Sequence, residues 1–202
     1  YSIYYFCGFN LINTKQKITN EPSNLFVAYS EQALTFKLNT NLSLTGSYVF
    51  EKQRPLESNY RNENRFYIQG VYKYALNNYS IRHRARFDGR FISDRITGKS
   101  PFTNRIRYLF GINGPMSKKS SNLYFNTYNE FFFNTYRGAT NIYDENWAYA
   151  GIGYKTTTAG NFEMGPLYIF WVTNNQNDFT NFLYLQLSWC THFDFTKRKE
   201  RK

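Results

Sequence analysis

The chain has 202 residues, 25 Lys and Arg against 14 Asp and Glu, a formal net charge of +11 and an aromatic fraction of 21%. So many rings exclude a disordered chain, since they bury enough apolar surface to offset ordering entropy. No run approaches the roughly 18 apolar residues of a spanning helix, two cysteines argue against a disulfide framework, and the length suits one domain.

The chain opens at Tyr1 in strand-like sequence, without a start Met or a signal-type segment, and is read as a mature or trimmed product. The dominant pattern is alternation with period two, which sends successive side chains to opposite faces of a strand. Strands are expected near residues 1–13, 24–39, 42–53, 63–76, 79–93, 102–114, 121–134, 144–157, 160–174 and 180–195. In the second, the alternation slips around Ser30 to Ala33, which predicts a bulge. In the fifth, Arg82, Arg84, Arg86, Asp88 and Arg90 alternate with Ile81, His83, Ala85, Phe87, Gly89 and Phe91. In the sixth, Arg105 and Arg107 alternate with Ile106, Tyr108 and Phe110. In the last, Tyr184, Gln186, Ser188, His192 and Asp194 alternate with Leu183, Leu185, Leu187, Trp189, Phe193 and Phe195.

Short connections at Thr40-Asn41, Asn77-Asn78 and Thr158-Ala159, and a somewhat longer one at Gly114 to Ser120, alternate with long polar ones. The long ones are Thr14 to Ser23, Lys52 to Asn62, Asp94 to Pro101, Thr135 to Tyr143 and Asn174 to Phe179. Short turns at one end and long loops at the other are the pattern of an outer-membrane barrel. The expected fold is all-β: a closed antiparallel up-and-down transmembrane β-barrel of about ten strands, twelve being the other count open, with short periplasmic turns and longer extracellular loops. Residues 1–195 form the single barrel domain and 196–202 a basic, solvated tail. The segments are longer than the roughly 5–6 residues of soluble strands, which favours a membrane barrel over a sandwich or a lipocalin-like barrel.

The stretches Arg84-Ala85-Arg86-Phe87-Asp88-Gly89-Arg90, Arg105-Ile106-Arg107-Tyr108, Asn129-Glu130-Phe131-Phe132, Gly151-Ile152-Gly153-Tyr154 and Leu183 to Phe195 occur in that order. In this the chain resembles the DUF2490 family, a group of predicted outer-membrane β-barrel proteins of Bacteroidetes. The likeness covers most of Leu34 to Phe195; Asp88 stands where the family tends to carry Glu, and Trp147 where it often carries Arg. The resemblance implies a fold and an outer-membrane location, and brings no established activity or catalytic residues.

The candidate site is a lumenal charge network of Arg65, Arg82, Arg84, Arg86, Asp88, Arg90, Arg105, Arg107 and Glu130. Adjacent strands are about 4.8 Å apart, so Arg–carboxylate forks across strands come easily. Such a network fills a narrow barrel; arginines in excess of acids would instead line an anion path or hold an anionic ligand. Nucleic acid is not expected as a partner, because the arginines alternate with apolar residues and do not rim an aromatic platform. The expected partners are the lipid bilayer and lipopolysaccharide, the latter through basic loop and rim residues, and a larger outer-membrane complex.

No catalytic residue, metal site or cofactor is expected. His83 should face lipid. Ser188 and His192 share a strand face but stand roughly 13 Å apart at about 3.4 Å per residue, too far for a nucleophile and its base. Cys7 and Cys190 have opposite parities and are expected as free thiols. The expected role is structural or accessory, as a non-catalytic subunit or partner of a larger outer-membrane assembly. A small anion or solute channel and a lipid-modifying enzyme are the alternatives.

Overall fold

The computed structural model describes residues 27–53, 61–94, 97–117, 122–174 and 178–190, and the backbone of residues 2–10. Ten strands follow one another in a single antiparallel sheet whose spatial order equals the chain order. They are β1 (Ser2–Asn10), β2 (Val27–Lys37), β3 (Leu42–Gln53), β4 (Arg61–Leu76), β5 (Tyr79–Ile92), β6 (Phe102–Pro115), β7 (Leu123–Asn134), β8 (Tyr143–Lys155), β9 (Asn161–Asn174) and β10 (Asp178–Cys190). Among the described residues there is no helix, and β1 and β10 each pair with one neighbour only.

Connections at one end cover residues 38–41, 77–78, 116–122 and 156–160; those at the other cover 11–26, 54–60, 93–101, 135–142 and 175–177. Local chemistry makes the short ones. The Asn39 side chain accepts hydrogen bonds from the amides of Asn41 and Leu42, both at 2.8 Å. Asn77 takes a φ of 54°, a left-handed conformation that asparagine tolerates in a two-residue hairpin. The last connection is shorter than the alternation suggested, because Asp178 still pairs with Asn174.

The expected bulge at Ser30 to Ala33 is absent: β2 keeps one register from Val27 to Thr35 against β1 and from Val27 to Lys37 against β3. The alternation slips there because Ser30 and Gln32 put polar side chains on the otherwise apolar face, where Gln32 donates to Ser30 at 2.7 Å. The register shifts lie elsewhere, between Phe132 and Phe133 on β7 and between Asp178 and Phe179 on β10.

The two faces differ sharply. One is exposed and apolar, with Leu183 at 73%, Leu185 at 66% and Leu187 at 70% accessible. The other buries Glu63, Asp88 and Phe132 completely and Glu130 to within 2%. A lone sheet with no second layer can bury one face only by curling round it. Side chains two strands apart do meet there: Tyr67 of β4 donates to Glu31 of β2, and Asn126 of β7 donates to Glu163 of β9 at 2.9 Å.

Glycines make room for rings on this enclosed face. A Cβ on Gly151 would overlap the Tyr149 phenol, and one on Gly153 the Tyr124 phenol. The Gly-x-Gly stretch is thus a seat for two tyrosines, one from its own strand and one from β7. Gly153→Val should therefore lower unfolding stability by about 1–3 kcal/mol, as overpacking does. Gly46→Ala, with nothing within 4 Å of the added methyl, should be close to neutral in the same thermal unfolding measurement.

Candidate functional site: the enclosed charge network

The alternation of β4 to β8 places the network. Cross-strand pairing sets Arg65 opposite Arg90, Asp88 opposite Arg105, and Arg86 opposite Arg107. It sets Glu130 diagonal to Arg107, one row on. Like charges directly opposite repel, so Arg65, Arg90 and Arg107 reach past their register partners to acids on neighbouring rows, while Arg105 pairs with Asp88 directly across.

Three carboxylates organise the face. Glu63 is nearest the long connections. Its Oε1 accepts from Arg65 Nε at 2.7 Å and Arg90 Nε at 2.8 Å, and its Oε2 accepts from Arg90 Nη2 at 2.9 Å. Arg65 also donates to Glu51 at 2.8 Å. Asp88 accepts from Arg105 Nε at 2.8 Å through Oδ2, while Arg107 Nη1 stands 3.7 Å from the same oxygen. Glu130 Oε1 accepts from Arg107 Nε at 2.7 Å and from Arg84 Nη2 at 2.6 Å. Arg105 extends the network to Glu145 at 3.6 Å and Asp144 at 4.0 Å on β8.

Aromatic faces complete the layers. Arg107 and Arg105 lie over the Phe132 ring, 4.3 Å and 5.0 Å from its centroid. Arg86 lies 3.7 Å above Tyr67 and donates twice to Gln69 Oε1, at 2.9 Å and 2.7 Å. Weakly hydrated, planar guanidinium suits such stacked and forked sites, where lysine would not substitute.

All nine residues read from the sequence lie on the face that carries the buried charges. Arg65, Arg84, Asp88, Arg90, Arg105, Arg107 and Glu130 share ion pairs; Arg86 is held by an amide and a ring. Arg82 stands apart: its Nε is buried with no partner, as is the Nε of Arg84. The alternation reading missed Glu63, Glu51 and Phe132. Glu63 sits in the polar run Asn62-Glu63-Asn64-Arg65, where no alternation is visible; two residues from Arg65, it shares that residue's face. Phe132 hides in Phe131-Phe132-Phe133, yet stands two residues from Glu130.

His83 is on the outer face, with Nδ1 2.8 Å from the Tyr108 hydroxyl. Ser188 accepts from Gln186 at 3.3 Å. His192, Asp194 and the basic tail lie outside the described residues. Cys190 is free and exposed, and the side chain of Cys7 is not among those described. Among the described residues no three His, Cys, Asp or Glu side chains converge as metal ligands would.

Removing one partner of a buried ion pair leaves the other charge uncompensated, at about 3–5 kcal/mol. Glu63→Gln, which strands Arg90 and leaves Arg65 with Glu51 alone, should fall in that range in chemical denaturation. Glu163→Gln, on an acid with no arginine within 4.0 Å among the described residues, should cost far less.

A family model described as "Protein of unknown function (DUF2490)" matches residues 11–180. No curated protein and no solved structure matches the chain. With most of its length matched, and with the Arg-x-Arg, Asn-Glu and Gly-x-Gly-Tyr stretches lying on consecutive strands of one sheet, the chain belongs to the DUF2490 family.

Proposed function

We propose that the chain is an outer-membrane β-barrel, closed by pairing of β10 with β1, with a sealed interior and a non-catalytic role beside a larger outer-membrane assembly. The observation that carries this reading is the inverted burial: carboxylates and guanidiniums are enclosed while Leu183, Leu185, Leu187 and Trp189 are exposed. In water that arrangement is costly on both faces. In hydrocarbon the outer face is in its proper solvent, and the backbone requires closure, because lipid cannot hydrogen-bond a free strand edge.

Strand dimensions agree with a bilayer. The strands hold from 9 to 16 residues, and a tilted membrane strand needs about 9–11. An even strand number returns both ends of the barrel to the side of the short connections, which in such barrels is the periplasm. Lipopolysaccharide would then meet the basic residues of the opposite loops and rim, among them Lys99 and Arg137.

The same geometry argues against a pore. Three tiers of paired arginine and carboxylate, with Phe132 and Tyr67 among them, occupy the middle of the enclosed face. An accessory role is favoured by the outer wall, where the lining of a cavity of about 500 Å³ includes Phe110, Asn129, Ala148, Ala150, Pro166 and Tyr168. Small side chains that let another surface approach, beside a polar pair such as Asn129 and Asn146 hydrogen-bonded at 2.6 Å, are features of contacts between proteins inside membranes.

The purified protein in planar bilayers should give no channel events, and gentle detergent extraction from its host should bring down a larger protein with it. Steady conductance, or a bare monomer in every detergent, would contradict the reading. Leu185→Arg should cost about 2–4 kcal/mol of stability in lipid, as a lipid-facing arginine near the bilayer midplane does.

A further inference from the structure

The charges on the enclosed face are not evenly matched along its length. Toward the long connections every described arginine has an acid or a neutral acceptor. Toward the short connections the face carries Lys37, Lys73 and Arg82, and among the described residues none of the three has a carboxylate within 4.0 Å. The nearest acids are already engaged: Glu130 takes Arg84 and Arg107, and Glu163 accepts from Asn126 at 2.9 Å.

Lys73 and Arg82 are register partners, directly opposite on β4 and β5. Like charges so placed destabilise a sheet. Arg65 and Arg107, which also stand opposite arginines, reach acids; neither member of the Lys73–Arg82 pair does. Arg82 also keeps a buried Nε with no partner, and the adjacent Arg84 Nε is in the same state. A buried donor without an acceptor in the protein has its hydrogen bond free for an acceptor from outside it. Lys37 and Lys73 are exposed, so this end of the face is open to solvent.

The row through Arg82 supplies a second element. Gly111, its partner on β6, leaves space into which Arg82 leans: an added Cβ would stand 3.4 Å from Arg82 Nη2 and 3.2 Å from Tyr128 Cβ. Tyr128 and Tyr149 follow in the same row, their rings stacked with centroids 5.0 Å apart. Cationic donors beside a flat aromatic surface suit an anion that carries a ring or a hydroxylated body.

We propose that this end of the enclosed face binds a small soluble phosphate monoester. Its phosphate lies between Lys73 and Arg82 and satisfies the Arg82 Nε, and its body rests on Tyr128, the half-buried ring of the Tyr128–Tyr149 stack. Guanidinium matches phosphate geometry, and lysine adds a point charge. The site needs only the curl of β4 to β8; it requires neither a membrane nor closure by β1. A protein that conducts no current and binds no phosphate would keep the proposed function and lose this site.

The test is thermal unfolding of the full chain in zwitterionic detergent, titrated with inorganic phosphate and with phenyl phosphate against chloride at equal ionic strength. A ligand of the folded state raises the midpoint with the logarithm of its concentration. Phosphate should do so, and phenyl phosphate should bind about tenfold tighter through ring stacking. Arg82→Gln should unfold at a higher temperature than wild type in phosphate-free buffer, because the repulsion is gone, and should lose the response by about tenfold or more. Tyr128→Ala should lose only the advantage of phenyl phosphate. Lys99→Gln, in a long connection, should respond as wild type. Equal responses of wild type and Arg82→Gln, no response at all, or a response confined to micelles doped with phosphatidic acid would overturn the proposal.

Discussion

The pairing of guanidinium with carboxylate on one face of a single curled sheet is the constraint from which the rest follows. Glu63, Asp88 and Glu130 are buried and charged, a condition tolerated only with partners in place. Each therefore gathers arginines from its own strand, the next, or the next but one. Those reaches tie β4 through β8 into one arc. Replacing such a face by a hydrocarbon core would often be neutral or better for stability alone. Its presence here fits the proposed reading, in which the other side of the sheet faces lipid.

Two packing devices let this face close. Guanidinium planes stack on Phe132 and Tyr67, filling space that lysine or glutamine would leave open. Glycines at Gly151 and Gly153 admit the Tyr149 and Tyr124 rings flat against the sheet. The Arg-x-Arg and Gly-x-Gly-Tyr stretches, which look unrelated as strings, are thus the two halves of one face: charged tiers toward the long connections, aromatic seats toward the short ones.

Most strand positions were legible because apolar side chains alternate with polar ones, arginines foremost in β5 and β6. Leu42–Gln53 and Tyr79–Ile92 are the clearest examples. Where both faces carry the same kind of side chain, the pattern goes silent. Phe131-Phe132-Phe133 conceals an inward ring, Asn62-Glu63-Asn64 conceals the acid that joins Arg65 to Arg90, and Ser30 to Ala33 imitates a bulge where the register is unbroken. Which arginine meets which acid was not legible at all. It depends on side chains crossing rows, as Arg84 does to reach Glu130 two strands away, and no spacing within one strand encodes that.

The central claim, that the greasy face meets lipid and the charged face is walled in, is tested most directly by spin labels placed singly along β5, β6 and β10 of a cysteine-free protein in liposomes. Labels at Phe87, Ile106 and Leu185 should be open to dissolved oxygen and shielded from a water-soluble nickel complex, with the opposite order or full occlusion at Arg86, Arg107 and Gln186. Ready collision of the nickel complex with labels at Phe87, Ile106 and Leu185 would put those side chains in water and contradict the account.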